Sequence, residues 1–360
     1  MKTIRLNLKK RSYPICIGEG LLSKTGTLLK KLSLDKEAVI ITNAYIKKRY
    51  GALLARSLGR ENFTHTFYVV PDSEKAKSIK HCLNLINAIS KYDKGKQIFF
   101  IALGGGVVGD LVGFIASIYK RGTAYVQIPT TLLAQIDSSI GGKTAIDLAV
   151  AKNLVGAFYQ PKIVIVDTKL LRTLPKRQLQ SGMAEAIKYA VIKDKALFSF
   201  LKNNYTKIMR LDKKALAYME ERCIRIKAGV VAKDEQEQKG VRTILNFGHT
   251  VGHALESAAG YRRYSHGEAI AIGMTCASRI AQHLGLLSDS DRSKIEELIE
   301  LFGLPKQIKS LPIKRILNSL ARDKKFIHAK NRFVLPTRIG TVIVKKNIPQ
   351  NLIRQAILEN

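Results

Sequence analysis

Tryptophan is absent from this chain, cysteine occurs only four times in 360 residues, and acidic side chains number 28 against 61 basic ones. Each shortage excludes a class of protein. Cys16, Cys82, Cys223 and Cys276 are scattered with no C-x-x-C spacing, which argues against a disulfide framework or a thiolate zinc site and fits a reducing compartment. No apolar run nears the roughly 18 residues that a membrane span needs. The opening MKTIRLNLKK alternates polar and apolar residues without a continuous apolar core, so it does not read as a signal peptide and a cytoplasmic protein is expected. With 46% hydrophobic and 25% charged residues the composition is ordinary for a globular chain, which excludes disorder, collagen-like repeats and coiled coil.

The shortage of acid leaves a formal charge of +33, for which the obvious partners are nucleic acid or an anionic membrane. Distribution speaks against both. Residues 1–180 hold 29 of the basic residues and residues 181–360 hold 32, and the longest cluster is a trio such as Lys47-Lys48-Arg49. A basic arm would show five or more like charges in a block, and at 7% aromatics there are no basic patches interleaved with stacking rings. No nucleic-acid or membrane partner is therefore expected. The informative gap is local: residues 101–160 carry only Lys120, Arg121, Lys143 and Lys152 against Asp110, Asp137 and Asp147. A nearly uncharged stretch in so basic a chain is expected to be buried or to face a ligand.

The first half alternates short β-branched runs with amphipathic stretches. Strands are expected at Thr3–Leu8, Ala38–Thr42, Thr64–Val70, Gln97–Leu103, Ala124–Ile128 and Lys162–Asp167, with helices at Glu74–Ser90 and Val107–Ile118. Strands separated by helices predict an α/β domain with a largely parallel sheet. After Leu174-Pro175, apolar residues recur at helical spacing, as in Ala184-Ile187-Ala190-Val191. Two domains follow, 1–175 and a mostly α-helical 176–360, with a late hairpin at Arg332–Leu335 and Thr341–Val344 and a closing helix at Pro349–Leu358.

Three kinds of chemistry stand out. Gly104-Gly105-Gly106-Val107-Val108-Gly109-Asp110 joins an expected strand to a helix, where glycines let backbone N–H groups and the helix dipole approach an anion. Gln127–Asp147 then strings hydroxyls, a carboxylate, Gly141-Gly142 and Lys143 through the low-charge window. In the second half, Glu185 and Lys188 share a helix face, His249 and His253 are spaced i, i+4, and His266 lies in Tyr264–Ala269. Two imidazoles and a carboxylate with an open position suit a catalytic zinc ion. The inner Glu of H-E-x-x-H is missing, which excludes a zinc protease of that type. Among the cations, Arg242, just before Asn246 and the histidine pair, suits bidentate recognition of a carboxylate or phosphate.

Taken in order, Gly104–Asp110, Pro129–Asp147, Lys152–Pro161, Gly182–Lys188, Arg242–His253 and Ser265–Ala269 closely resemble the 3-dehydroquinate synthase family of sugar phosphate cyclases. The likeness covers most of the chain, from Pro71-Asp72-Ser73-Glu74 to Asp323–Gly340, with departures at Ser73 and Ala76. It implies a Rossmann-like N-terminal domain and conversion of 3-deoxy-D-arabino-heptulosonate 7-phosphate to 3-dehydroquinate and phosphate in the shikimate pathway of aromatic amino acid biosynthesis. NAD+ and a divalent ion, zinc or cobalt, are the implied cofactors, and the metal ligands would be Glu185, His249 and His266. Proton transfer is implied for His253, with Asp137, Lys152 and Lys188 around the hydroxyls and metal. Lys143, Asn153, Asn246 and Lys324 resemble phosphate contacts, and Lys227 with Arg242 resembles a carboxylate clamp. Asn43, Glu74, Lys77, Gly105, Gly106, Asp110, Thr130, Thr131 and Thr173 fall on NAD positions. Arg121 would reach the site of a second subunit, implying a homodimer. The alternatives are a sister cyclase such as a 2-deoxy-scyllo-inosose synthase and a metal-dependent polyol dehydrogenase of the glycerol dehydrogenase type.

Overall fold

The computed structural model describes residues 1–148, 151–309, 311–322 and 331–359. They form two compact units, one of Met1–Leu174 with Lys227–Gln236 and one of Pro175–Ile226 with Glu237–Asn360.

The first unit is built on strands β1 (Lys2–Leu6), β2 (Tyr13–Gly18), β3 (Glu37–Asn43), β4 (Thr64–Val70), β5 (Ile98–Gly104), β6 (Tyr125–Pro129) and β9 (Ile163–Asp167). They form one sheet in the order β1-β2-β9-β6-β5-β3-β4, antiparallel only between β1 and β2. The alternation of strand side chains explains why these runs are apolar throughout: Ala38, Ile40, Phe99 and Ile101 bury on one face, and Val39, Ile41, Phe100 and Ala102 on the other. Leu54 and Leu58 of the Ala52–Gly59 helix cover the first face; Leu111, Val112 and Ile115 of the Gly106–Ile118 helix cover the second.

Three local differences from the sequence reading have physical causes. β2 lies outside the strands expected from the sequence, because Pro14 punctuates it; Pro14 sits opposite Arg5 but before the β2–β9 ladder begins at Ile15, so its missing N–H costs that ladder nothing. The expected Glu74–Ser90 helix is broken: Glu74–Lys77 is a 3-10 turn, and the α-helix Ile79–Asp93 starts afresh behind Ser78, whose hydroxyl accepts from the His81 N–H. Within the low-charge window, β7 (Lys143–Ile146) and β8 (Val155–Phe158) form a separate antiparallel pair.

The second unit is mostly helical, with Lys176–Lys193, Lys195–Asn203, His249–Ala258, His266–His283 and Asp289–Leu301 as principal helices. The expected hairpin is present and longer, as β10 (Arg332–Arg338) with β11 (Thr341–Lys346), and Gln350–Leu358 closes the chain as a helix. Among the described residues, no helix is long and apolar enough to cross a membrane.

Candidate active site

In the second unit, close helix packing gathers Glu185, His249 and His266. An added Cβ on Gly273 would lie 1.9 Å from the carbonyl oxygen of Gly248, so only glycine lets the His249–Ala258 and His266–His283 helices cross there. A Cβ on Gly267 would lie 2.2 Å from the carbonyl of Ser181, which seats the start of the second of these helices against Lys176–Lys193. Ser265 and Glu268 cap that start reciprocally, and Arg177 donates to both oxygens of Glu268 at 2.9 and 2.8 Å.

The result is a three-donor cluster whose ligand atoms all lie within 4.8 Å of one another. Oε1 of the fully buried Glu185 is 3.5 Å from His249 Nε2 and 3.4 Å from His266 Nε2. The Lys188 ammonium pairs with the other Glu185 oxygen. His249 Nδ1–H donates to the Phe247 carbonyl at 3.1 Å, which leaves Nε2 as the lone-pair nitrogen. Burial, and then the Lys188 cation, hold His249 well below its ordinary pKa, so it is neutral. His266 is raised to about 10: burial opposes this, but hydrogen bonds to Glu185 and Glu256 prevail. A divalent ion held at Nε2 would take the place of that proton. One carboxylate and two imidazoles with open positions fit zinc or a similar divalent ion.

The first unit presents another kind of cluster. The nine residues that the family resemblance implies for the cofactor lie at or after the C-terminal ends of parallel strands: Asn43 closes β3, Glu74 and Lys77 follow β4, Gly105, Gly106 and Asp110 follow β5, Thr130 and Thr131 follow β6, and Thr173 follows β9. Connections leave β3 and β5 toward opposite edges of the sheet, and ligands of open α/β sheets bind at such a switch point. Gly105 caps the Gly106–Ile118 helix in an extended conformation, leaving first-turn N–H groups for an anion. Lys77 is 3% exposed; its Nζ donates to Asp110 at 2.8 Å and to Asn153, with Glu74 and Asp147 each at 4.0 Å. Burial alone would lower its pKa, but these carboxylates raise it, so Lys77 stays charged. Asn43 donates to Asp72 at 2.7 Å, Thr173 shares a hydrogen bond with the Tyr50 hydroxyl at 2.7 Å, and Lys152 lies 3.4 Å from Glu74.

Two family models match the chain, the 3-dehydroquinate synthase N-terminal region over residues 67–181 and its C-terminal region over residues 182–326. The 3-dehydroquinate synthase of Desulforamulus reducens is 44% identical over 351 residues, covering 97% of this chain and 98% of the relative. The chain belongs to the 3-dehydroquinate synthase family. Among solved structures, 2-epi-5-epi-valiolone synthase from Streptomyces hygroscopicus subsp. jinggangensis, with NAD+ and Zn2+ bound, matches with a TM-score of 0.89 and 29% identity, covering 98% of each chain. A 2-deoxy-scyllo-inosose synthase complexed with carbaglucose-6-phosphate, NAD+ and Co2+ matches with a TM-score of 0.90 and 26% identity over 100% of both chains.

The remaining residues singled out by the family resemblance are distributed between the units. Lys227 belongs to the first, where its Nζ donates to the backbone carbonyl of Asp137 at 2.7 Å and to its carboxylate at 2.8 Å. Lys143, Asn153 and Arg121 are exposed there, and Arg121 adopts a left-handed backbone with φ of 63°. Arg242 is buried in the second unit with Nε 3.5 Å from Glu237, and Asn246 ends the same 3-10 turn. His253 is exposed, its ring 5.2 Å from that of His249. Lys324 lies outside the described residues. Sequence reasoning passed over Glu256, which contacts His266; its signal was its place seven residues after His249, two turns along the same helix face.

Proposed function

We propose that this chain converts 3-deoxy-D-arabino-heptulosonate 7-phosphate to 3-dehydroquinate and inorganic phosphate, with NAD+ as a transient hydride acceptor and zinc or cobalt held by Glu185, His249 and His266. The observation that carries the reading is this three-donor cluster in a chain that matches 3-dehydroquinate synthases along its whole length. A bound divalent ion would supply Lewis acidity that lowers the pKa of a substrate hydroxyl. The chain's own residues supply the rest. His253, exposed beside His249, receives the hydroxyl proton, and Lys188, through its pairing with Glu185, balances charge at the ligand carboxylate. Lys152 and Asp137 orient the hydroxyls.

Lys143, Asn153, Asn246 and Lys324 bind the phosphate, and Lys227 with Arg242 binds the carboxylate. Asn43, Glu74, Lys77, Gly105, Gly106, Asp110, Thr130, Thr131 and Thr173 hold NAD+. Bound NAD+ would supply a transient oxidation that acidifies the neighbouring C–H bond, so that phosphate could leave by elimination with its own oxygen taking that proton; ring opening and an intramolecular aldol would then close the carbocycle. Because that oxidation would be reversed within the same turnover, the site must retain the cofactor and exclude water. Arg121, exposed on its strained turn, completes the site of a second subunit in a cytoplasmic homodimer.

A second reading, a sister cyclase, is favoured by the TM-scores of 0.89 and 0.90. The curated relatives at 42–44% identity over nearly the whole chain are 3-dehydroquinate synthases, against 26–29% for the solved sister cyclases, which weighs toward the heptulosonate substrate. Incubation with the heptulosonate phosphate, NAD+ and zinc decides: equal release of phosphate and dehydroquinate without net NADH is expected. Net NADH, or no phosphate release, sinks the reading.

A further inference from the structure

An imidazole serves a metal well only when its other nitrogen is held, and the two ligand histidines are held differently. His249 Nδ1–H donates to a backbone carbonyl, that of Phe247. His266 Nδ1 instead lies 3.4 Å from Oε2 of Glu256, while its Nε2 lies 3.4 Å from Oε1 of Glu185. Glu256 is 13% exposed and sits on the helix that begins with His249, so this contact ties the ring of one ligand to the element that carries another.

We propose that Glu256 is a positioning residue for the metal centre: its carboxylate accepts the Nδ1–H of His266, aims the Nε2 lone pair at the space shared with Glu185 and His249, and raises its basicity as a ligand. The inference rests on Glu185, His249 and His266 being the ligands. It competes with one other use of the same atoms, because His253, Glu256 and His266 also offer donor atoms within 4.8 Å of one another and could hold an ion of their own.

The test uses the full chain stripped by a chelator, then titrated with zinc against a chromophoric competitor, and with cobalt followed by its visible spectrum. One ion per chain is expected for the natural protein. Glu256→Ala should still bind one, about 10–100-fold more weakly, with a shifted cobalt spectrum. Glu256→Gln, whose amide oxygen still accepts from Nδ1–H, should recover most of that loss. Unfolding of the stripped proteins separates a folding defect from a metal defect, and if Glu256→Ala does not fold, Glu256→Gln decides through its cobalt spectrum and zinc affinity. Unchanged affinity and spectrum in both variants overturn the proposal. So do two ions in the natural protein falling to one in Glu256→Ala, since Glu256 would then be a ligand. A natural protein that binds no ion overturns the ligand assignment itself.

Discussion

The two units hold their chemistry by opposite means. In the second, Glu185, His249 and His266 stand on long helices brought together backbone to backbone, with glycine at the points of closest approach. In the first, most candidate groups sit on turns or first helical turns after strand ends, with Lys227 on the Lys213–Lys233 helix, and side-chain charges hold them: Lys77 to Asp110, Lys152 to Glu74, Lys227 to Asp137. A metal centre tolerates only a few tenths of an ångström in ligand distance, which rigid elements supply. Anion and dinucleotide recognition instead needs free N–H groups and cations that can exchange one carboxylate partner for another, which loops supply. Under the proposed roles, the difference assigns rigidity to the candidate metal ligands and exchangeable pairs to the candidate substrate and cofactor contacts.

Four substitutions press on that contrast. Removing a ligand from the rigid cluster should have the largest effect: His249→Ala loses several kcal/mol of Lewis-acid assistance, so phosphate release falls about 1000-fold or more while urea unfolding stays close to normal. Next, Gly273→Ala pushes a methyl group into the Gly248 carbonyl. Overpacking of this kind costs about 3 kcal/mol, read by urea unfolding, and zinc affinity should fall with it. A stable, zinc-tight Gly273→Ala protein would show that the crossing is not what sets the ligands. In the charge-held unit, Lys77→Ala removes a cation shared by several carboxylates; NAD+ affinity by calorimetry should drop roughly 10–100-fold, the scale of about 1.5–3 kcal/mol for a charged hydrogen bond, with zinc affinity unchanged. Loss of zinc binding as well would break the separation.

The smallest effect concerns pH. Glu37 opens β3; burial would raise its carboxyl, but hydrogen bonds from Thr64 and Tyr92 and the Lys96 cation lower it below its ordinary 4.5. A carboxylate lowered by folding adds stability above its unfolded value and loses it as pH falls through the folded one. Stability at pH 7 should therefore exceed that at pH 3 by a Glu37-dependent amount below about 1 kcal/mol, because its partner Lys96 is exposed. Glu37→Gln should remove that part of the slope in urea unfolding measured at both pH values.

Much of this was legible in the residues. The expected strand Thr64–Val70 is β4 to the residue, and five other expected strands lie within two residues at each end of those found, because an apolar run buried on both faces carries its own signal. Lys143–Ile146 and Val155–Phe158 were not legible: each has four residues, and their pairing depends on an intervening loop rather than on periodicity. The cluster of Glu185, His249 and His266 was legible as residue types, since few other groupings of His and Glu suit a metal. Glu256 was legible only as a glutamate on the His249 helix face, where such a residue is usually a solvated charge, and its contact with His266 is what distinguishes it.

By itself, then, the sequence determined the order of elements, the division into a sheet-bearing part and a helical part, and the chemical types available. These follow from short-range periodicity and composition, which are properties of neighbouring residues. Only the tertiary structure decided that the segment Lys227–Gln236 folds with the first unit although the residues on both sides belong to the second. It also decided that Lys227 faces Asp137 and that His266 lies between two carboxylates. Those facts depend on contacts between residues 10 to 90 positions apart, set by backbone approach and by which buried charges find partners, and no local pattern encodes them.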